Sequence, residues 1–440
     1  MLNISSFARY SESKFDISKL RFAINFMNFK NLKKIDPGLY SLLIAEVKRQ
    51  KETIDLIPSE NIVSEALLEV LGSPLTNKYT EGYPEARYYP GNFYYDEIER
   101  LAQNRALKAF KLSPKAWSVN VQSYSGSPAN LAIYTALIKP GDTIMGMNLS
   151  AGGHLTHGHK SSFSGQLYKS IQYGVDSKTG LIDYKQVEKL AKKYRPKIII
   201  SGASAYPRKI DFKKFGEIAK KIGAYHLADI SHIAGLIIAG LHPNPFPCSD
   251  VVTTTTHKTL RGPRGAVIFS KKNISEKIDK AVFPGMQGGP HNNVIASIAL
   301  TFLEAIKPRF KNYQKQVIKN NKTLSNALYD LGFKLMSGGT DNHLLLIDLK
   351  DLGIDGYMAE QKLEKVGIIA NRNTVVGDKN PRRPTGLRLG TPFVTSRGMR
   401  EKEMKKIAEL IYRVLIKKEN LLSVRKESIV LCKKYQIYVD

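Results

Sequence analysis

Short β-rich runs alternate with helix-like segments between residues 117 and 269, and this alternation constrains the fold more than any other feature of the sequence. The helix-like segments cover residues 127–138, 184–194 and 212–222. The β-rich runs cover residues 117–122, 143–147, 197–201, 225–230, 251–254 and 266–269. Strands that alternate with helices predict an α/β domain built around a mostly parallel sheet.

The pattern changes after about residue 289 and predicts a second, smaller α+β domain. Its segments are a helix over 294–305 that continues towards 331 with a break near Pro308, strands over 344–349 and 367–370, and a last helix over 401–417.

We therefore expect three parts of the chain. They are an N-terminal extension and arm (residues 1–55), a large α/β domain (56–306) and a small C-terminal domain (307–440). Residues 1–26 match a transit peptide only weakly, because acidic residues interrupt their basic ones.

The chain of 440 residues has a formal net charge of +28, from 67 Lys and Arg residues and 39 Asp and Glu residues. Such a charge fits an enzyme with anionic ligands as well as a nucleic-acid-binding protein. The basic residues are scattered, and no basic arm, RNP motif or zinc-finger spacing accompanies them, so we do not expect nucleic-acid binding. A basic RNA-binding protein remains the alternative from another functional class.

The cysteine and histidine spacing gives no metal or disulfide motif. Cys248 and Cys432 form no CxxC pair. His154, His157 and His159 have no cysteine or acid at ligand spacing, so no metal is expected. No apolar run reaches the length of a membrane span. We expect a cytoplasmic protein with free thiols and no membrane partner.

The run of residues 125–130, Ser-Gly-Ser-Pro-Ala-Asn, follows a predicted strand and opens a predicted helix. Gly126 lets the backbone approach a ligand closely, and the free N–H groups of a helix start, with the Ser127 hydroxyl, suit a phosphate. A plain helix-capping turn explains the same pattern about as well.

Asp229 ends another predicted strand, and His232 follows three residues later. A buried acid needs a partner. A protonated pyridine nitrogen is such a partner, because a nearby aspartate keeps the ring cationic and able to accept electrons. A salt-bridged aspartate beside a core histidine is the alternative interpretation.

Lys258 follows four threonines and His257, and precedes a glycine-rich turn that contains Arg264. A partly buried lysine with a lowered pKa is a nucleophile that can form an imine. Arg264 is close enough in sequence to help bind a phosphate, although a solvated lysine in a basic loop explains this segment too. A phosphate cup, an acid and a Schiff-base lysine, each after a strand, together predict pyridoxal 5'-phosphate as the cofactor.

Seven longer motifs lie between about residue 36 and the C-terminus. They read LIPSEN (56–61), NKYTEGYP (77–84), GGHLTHG (152–158), TTTTHKT (253–259), PGMQGGP (284–290), SGGTDNH (337–343) and LRLGTP (387–392). With them the chain resembles the serine hydroxymethyltransferases (glycine hydroxymethyltransferases), which are fold-type I pyridoxal-phosphate enzymes. The resemblance implies an aspartate-aminotransferase-like α/β fold, with a large domain around a mostly parallel sheet and a smaller C-terminal α+β domain.

The resemblance also implies cofactor contacts at matched positions. Lys258 would hold the cofactor through a Schiff base, Asp229 would pair with its ring nitrogen, and His154 would stack on the ring. The other contacts would come from Gly126, Ser127 and His257 at the phosphate, from Ser204 and His232 at the phenolic oxygen, and from Tyr79 and Gly289 of a neighbouring subunit.

Substrate contacts follow from the same resemblance. Arg388 would grip the amino-acid carboxylate as a bidentate fork, and Ser59 and Tyr89 would assist it. Glu81 would move protons between serine, folate and the one-carbon unit, so that it acts in catalysis with Lys258, Tyr79 and His232. The folate site would be lined by Leu149, Gly153, Leu155 and Asn373.

The implied reaction is the reversible transfer of the serine hydroxymethyl carbon to tetrahydrofolate, giving glycine and 5,10-methylenetetrahydrofolate. The nearest alternative is a folate-independent aldolase of the threonine-aldolase type, followed by an aminotransferase. Sharing of Tyr79 and Gly289 across subunits implies a homodimer or a tetramer. Tyr124, Pro128 and the loop over residues 378–386 depart from the common family pattern, and this loop borders the expected folate site.

Overall fold

A computed structural model describes residues 29–378, 380 and 383–438. The segment 1–26 discussed above lies outside these residues, as do residues 379, 381 and 382 of the 378–386 loop. The α-helices are α1 (Lys30–Ile35), α2 (Pro37–Glu52), α3 (Glu65–Leu71), α4 (Phe93–Ala109), α5 (Gly126–Leu137), α6 (Phe163–Leu167), α7 (Tyr184–Tyr194), α8 (Phe212–Ile222), α9 (Ala234–Ile238), α10 (Ser275–Val282), α11 (Asn292–Ala305), α12 (Pro308–Asp330), α13 (Gly356–Lys365), α14 (Pro392–Ser396), α15 (Glu401–Leu415) and α16 (Leu421–Lys433).

The β-strands are short. They are β1 (Ile54–Asp55), β2 (Gly82–Tyr83), β3 (Ala86–Arg87), β4 (Trp117–Asn120), β5 (Thr143–Met147), β6 (Lys169–Tyr173), β7 (Ile198–Ser201), β8 (Tyr225–Asp229), β9 (Val251–Thr255), β10 (Ala266–Lys271), β11 (Lys334–Leu335), β12 (Leu344–Asp348), β13 (Ile368–Ile369), β14 (Asn371–Asn373) and β15 (Gly386–Gly390). Short 3₁₀ turns cover Pro74–Asn77, Leu149–Ala151, Leu155–His157, Phe246–Cys248, Lys272–Ile274, Met336–Gly338 and Lys350–Leu352.

A seven-stranded sheet in the order β4-β10-β9-β8-β7-β5-β6 forms the centre of the larger unit. The pairs among β6, β5, β7, β8 and β9 are parallel, and β10 runs antiparallel to both of its neighbours. This arrangement confirms the predicted α/β class with a mostly parallel sheet.

Both faces of the central sheet are buried under helices, which explains why its inner strands β5 and β7 are largely apolar rather than alternating with polar residues. Along β7, Ile199 packs in one hydrophobic core, whereas Ile198 and Ile200 pack in a second core on the opposite face. In the same way, Val252 and Val251 of β9 belong to the two different cores.

The two predicted helices α7 and α8 have the expected bounds because polar caps define their starts. The Asp183 carboxylate accepts hydrogen bonds from the backbone of Lys185 and Gln186, and Asp211 accepts one from Lys214. Gly223 ends α8 with a φ of 72°, a left-handed conformation that glycine adopts without strain.

A separate hydrophobic core forms around the antiparallel sheet β11-β12-β15-β14 in the C-terminal part of the chain. Residues from α12, α13, α15 and α16 pack in it. Ile54 and Leu56 belong to this core as well, because β1 pairs in parallel with β13. The boundaries proposed for the domains stay predictions.

Arg397 is a buried cation that joins the two ends of this C-terminal core. Its guanidinium donates hydrogen bonds to the carbonyl oxygens of Lys51 and Thr53, at the end of α2, at 2.8 and 2.7 Å. It also donates to the carbonyls of Cys432 and Tyr435, at 3.0 and 2.7 Å. The burial of this charge is offset by carbonyl dipoles from both ends of the described chain.

Three secondary-structure predictions were wrong or incomplete. The helix α15 is not the last, because α16 follows it. The strand predicted over 367–370 is present but shorter, because β13 covers only Ile368–Ile369, which pair with β1. The edge strand β6 was not predicted, because its sequence Lys-Ser-Ile-Gln-Tyr is mostly polar. Within the described residues, no helix combines the length and apolar character of a transmembrane span.

An aromatic cluster packs against the central sheet, and substitution of its buried Phe269 tests how much this core contributes to stability. The fully buried Phe269 ring lies 5.1 Å from Phe110 and 5.3 Å from Phe246, measured between ring centroids. We predict that Phe269→Ala lowers the free energy of unfolding by about 3–5 kcal/mol, because it leaves a cavity. Phe163→Ala, at a ring that is 43% exposed, should cost clearly less. The measurement is urea denaturation of both variants at one protein concentration, and equal losses would contradict the prediction.

Candidate active site

A cavity of about 190 Å³ opens at the carboxyl ends of the central strands. The ends of parallel strands meet at one edge of a sheet, so loops that are distant in sequence converge there. The cavity is lined by Ser125, Gly126, Ser127, Asn130, His154, His157, Ala203, Ser204, Asp229, Ser231, His232, Thr255, His257 and Lys258. Asp229 and Thr255 are the last residues of β8 and β9, and the other lining residues follow β4, β5, β7, β8 and β9.

The start of α5 forms one end of the cavity. A Cβ on Gly126 would lie 2.8 Å from the Thr255 side chain, so this position requires glycine. Pro128 lies in the first turn of the helix, where its missing N–H costs no helical hydrogen bond. The buried Nδ1 atom of His257 has no hydrogen-bond partner among the described residues. Free N–H groups, the Ser127 hydroxyl and an unpaired imidazole nitrogen together suit a phosphate.

Asp229 ends β8 inside the cavity, and three donors hold its carboxylate. His157 Nε2 lies 3.0 Å from Oδ2, Asn130 Nδ2 donates to Oδ2 at 2.9 Å, and the Ser231 N–H donates to Oδ1 at 3.1 Å. Burial alone would raise the pKa of Asp229, but the hydrogen bond and charge of His157 outweigh it and place this pKa well below its usual value. The site thus keeps a negative charge that can pair with a cationic ring nitrogen.

Lys258 lies in the cavity with its Nζ atom donating a hydrogen bond to Thr255 Oγ1 at 2.8 Å. Burial lowers the pKa of this amine to about 8; the Asp229 carboxylate opposes this shift, and Arg388 and Arg264 add to it. About a tenth of the amine is therefore neutral and nucleophilic at pH 7, far more than for a lysine with its ordinary pKa.

His154 presents a neutral ring to the cavity. Its Nδ1 atom lies 2.8 Å from Thr156 Oγ1, and burial with the nearby charge of His157 lowers its pKa to about 4. The preceding glycines hold this loop close to other backbone, since a Cβ on Gly153 would lie 2.0 Å from the Met147 carbonyl oxygen. A neutral aromatic ring fixed in this way can stack on a flat ligand.

Arg388 reaches the site from strand β15 of the C-terminal core. Its guanidinium donates hydrogen bonds to the Ser204 carbonyl oxygen at 2.7 Å and to Asn371 Oδ1 at 3.2 Å. No carboxylate of the described residues forms an ion pair with it. Burial lowers its pKa to about 10, so it stays charged at neutral pH and suits a ligand carboxylate. Ser59 follows Pro58, which packs against Gly390 of the same strand.

A second cluster of predicted site residues lies outside this cavity. The Tyr79 ring packs on Gly289, and the Glu81 carboxylate lies against Gly288. The Tyr79 and Tyr89 rings meet edge to face with centroids 5.3 Å apart. Tyr79 remains 54% exposed, so this face is open in a single chain.

Buried ion pairs hold the segment that carries this second cluster. Arg87 donates hydrogen bonds to the carbonyl oxygens of Thr80 and Gly82, at 2.8 and 2.7 Å, on either side of Glu81. The same guanidinium pairs with Asp96 at 2.8 Å and with Glu99 at 2.7 Å. The loop around Glu81 is therefore fixed within the single chain.

The predicted folate positions lie close to one another beside the cavity. Leu149 and Leu155 are in the 3₁₀ turns after β5, with Gly153 between them. Asn373 ends β14, and the hydroxyl of the next residue, Thr374, donates to the Leu149 carbonyl oxygen at 3.4 Å.

The structure brings together most of the predicted cofactor positions but not all of them. Among the predicted residues, the cavity is lined by Gly126, Ser127, His154, Ser204, Asp229, His232, His257 and Lys258. The exposed Arg264 is near enough to lower the pKa of Lys258 and of His257. Tyr79, Glu81, Tyr89 and Gly289 do not line the cavity.

Sequence reasoning missed three polar partners at this site. Thr255 binds the Lys258 amine, and Asn130 and His157 bind the Asp229 carboxylate. His157 precedes Asp229 by 72 residues, so only the fold shows that they meet. The sequence did indicate that a buried Asp229 needs hydrogen-bond donors, but it could not identify the residues that supply them.

Charge substitutions around Lys258 should shift its pKa in opposite directions. We predict a pKa near 8 in the cofactor-free protein. Asp229→Asn should lower this pKa, because the substitution removes a negative charge that stabilises the protonated amine. Arg264→Gln should raise it, because the substitution removes a positive charge that destabilises the protonated amine. Competitive amine labelling across pH, read by mass spectrometry, measures both shifts. Shifts of the same sign in the two variants would contradict this account of the site.

Comparison with protein families agrees with this geometry. The family model described as serine hydroxymethyltransferase matches residues 32–411, which is most of the chain. This family consists of fold-type I pyridoxal-phosphate enzymes, and the observed α/β fold with its mostly parallel central sheet is of that type. The chain belongs to the serine hydroxymethyltransferase family and is an enzyme of that type.

Proposed function

We propose that the protein transfers the hydroxymethyl carbon of serine to tetrahydrofolate, reversibly, with pyridoxal 5'-phosphate bound at Lys258. One observation carries the proposal: a single cavity combines a lysine of lowered pKa with the charged Asp229 carboxylate. Arg388 lies at its edge and forms an ion pair with no carboxylate of the described residues. These groups match an aldehyde, a ring nitrogen and an amino-acid carboxylate.

The residues of the cavity fit the cofactor. The start of α5 with Gly126 and Ser127 would hold the phosphate, together with His257 Nδ1, which has no partner among the described residues. Asp229 would hold a proton on the ring nitrogen. When bound, the cofactor supplies an electron sink for the carbanion that forms as the hydroxymethyl carbon leaves.

The protein's own part in the reaction is orientation and proton transfer. Arg388 would fix the amino-acid carboxylate, with Ser59 and Tyr89 beside it. Ser204 and His232 would bind the phenolic oxygen of the cofactor. Glu81, fixed by the hydrogen bonds of Arg87 to its neighbours, would hold or release the proton that the one-carbon transfer requires.

We infer that a partner subunit completes each site. Tyr79, Glu81, Tyr89 and Gly289 are clustered but lie outside the cavity of their own chain. The same stretch of chain carries further exposed aromatic rings, at Tyr88, Phe93 and Tyr94. A patch of this kind is typical of a protein interface. A homodimer, or a tetramer of such dimers, would place this cluster at the cavity of the neighbouring chain.

Folate would bind beside the cavity at Leu149, Gly153, Leu155 and Asn373, whose proximity supports this assignment. The folate-independent aldolase would need the same cofactor contacts but not this group, so folate dependence separates the two functions. The cytoplasmic location stays a prediction.

An absorbance spectrum tests the cofactor and the folate coupling together. We expect a visible band after addition of pyridoxal 5'-phosphate, and a further long-wavelength band only when tetrahydrofolate joins glycine. Borohydride reduction should attach the cofactor mass to the Lys258 peptide in the parent protein and not in Lys258→Gln. A spectrum that does not change when tetrahydrofolate is added would favour the folate-independent aldolase. The absence of any visible band would refute cofactor binding at Lys258.

Subunit mixing tests the shared site. Lys258→Gln and Glu81→Gln homodimers should each be inactive, but a hybrid dimer contains one site in which both residues are intact. Random mixing should restore about a quarter of the parent activity, since half of the dimers are hybrids with one intact site of two.

The matched control for subunit mixing pairs Lys258→Gln with Asp229→Asn. Both residues lie in the same cavity, so no hybrid site is intact and no activity should return. No recovery in the first mixture, or equal recovery in both, would contradict the assignment of Glu81 to the neighbouring site.

A further inference from the structure

Two buried histidines, His232 after β8 and His343 before β12, face each other at the cavity. His232 Nδ1 and His343 Nε2 lie 3.2 Å apart, within hydrogen-bond distance. His343 is 0% exposed and His232 is 6% exposed. His232 lines the cavity, whereas His343 does not line it and directly precedes β12.

The segment 337–343 that carries His343 is attached firmly to the larger unit. Asn342 Nδ2 donates to the Tyr206 carbonyl oxygen at 3.0 Å, and the Asp341 N–H donates to the Pro207 carbonyl at 2.8 Å. The Asp341 carboxylate pairs with Arg208 at 3.0 Å. His343 is thus held in place by backbone and side-chain contacts, and its ring gives His232 a fixed neighbour.

Both rings are neutral near neutral pH. Burial, followed by the positive charges of Arg388 and Lys258, lowers the pKa of His343 to about 3. Burial and the Lys258 charge place the pKa of His232 well below its ordinary value. A neutral imidazole carries one N–H, so only one of the two facing nitrogens can donate in this contact.

The surroundings of His343 Nδ1 indicate which of the two facing nitrogens is the hydrogen-bond donor. His343 Nδ1 is buried and has no hydrogen-bond partner among the described residues. If His232 were the donor, His343 would have to carry its own proton on Nδ1, as a buried N–H without an acceptor. Orphaned buried N–H groups are rarer than unsatisfied acceptors. The favoured arrangement therefore has His343 Nε2–H donating to His232 Nδ1.

We propose that His343 is a positioning residue that fixes the tautomer of His232, so that His232 Nε2 carries the proton and donates a hydrogen bond to an oxygen of the ligand in the cavity. In this tautomer His232 offers no lone pair to the cavity and does not act as a base there. The proposal deepens the proposed function, since the ligand oxygen belongs to the cofactor–substrate complex of that same site.

The test is the proton position itself, measured in the full-length protein labelled with ¹⁵N-histidine. Long-range ¹H–¹⁵N correlation spectra distinguish the Nε2–H from the Nδ1–H tautomer of each ring. The chain has nine histidines, so His232→Asn and His343→Asn serve to assign the two signals. We expect the Nε2–H pattern for His232 in the cofactor-free protein, and an Nδ1–H pattern there would overturn the proposal.

Two variants of His343 separate positioning from mere packing. His343→Gln places an amide near the former Nε2 atom and should keep the Nε2–H pattern of His232. His343→Asn places its amide near the former Nδ1 atom, beyond reach of His232, and the pattern should be lost. The same His232 pattern in both variants would refute a positioning role.

The outcome is distinguishable from failure of the proposed function, because no cofactor or turnover enters this measurement. A protein that binds the cofactor yet shows the Nδ1–H pattern would lose only the inference about His343. If His343→Asn does not fold, the parent spectrum and His343→Gln still decide the matter.

Discussion

A charged aspartate in a buried cavity is the interaction on which the rest of the site depends. Asp229 keeps its charge because His157, Asn130 and the Ser231 N–H donate to it or lie within hydrogen-bond distance. Each partner comes from a different turn of the fold. The sheet, the start of α5 and the loop after β5 must therefore all be in place before this carboxylate is satisfied. The same carboxylate then moderates the pKa of Lys258.

The position of Arg388 depends on polar contacts between the C-terminal sheet and the larger unit. Arg388 extends from the C-terminal sheet and donates to the Ser204 carbonyl of the larger unit. The segment 337–343 is bound to residues 206–208 through several polar contacts. These contacts fix Arg388, the proposed carboxylate-binding residue, relative to Lys258, and such fixed geometry is what orientation of a substrate requires.

The sequence predicted the architecture well because the signals of the central strands are local. The apolar runs of β5 and β7 and the aspartate caps of α7 and α8 each determine a nearby element. Strand β6 escaped prediction because an edge strand needs no continuous apolar run. Thr255 and His157 were not predicted as site residues, because their contacts with Lys258 and Asp229 become visible only in the folded structure.

The placement of β1 has a consequence for the order in which this chain folds during synthesis. Ile54 and Leu56 belong to the C-terminal core, and Arg397 joins the end of α2 to Cys432 in α16. The central sheet can form as soon as β10 leaves the ribosome. The C-terminal core cannot form until its helices and strands have been synthesised. Until then Ile54 and Leu56 have no packing partners from this core. A nascent chain of this kind exposes an early apolar segment for most of its synthesis, which is the situation that chaperones protect.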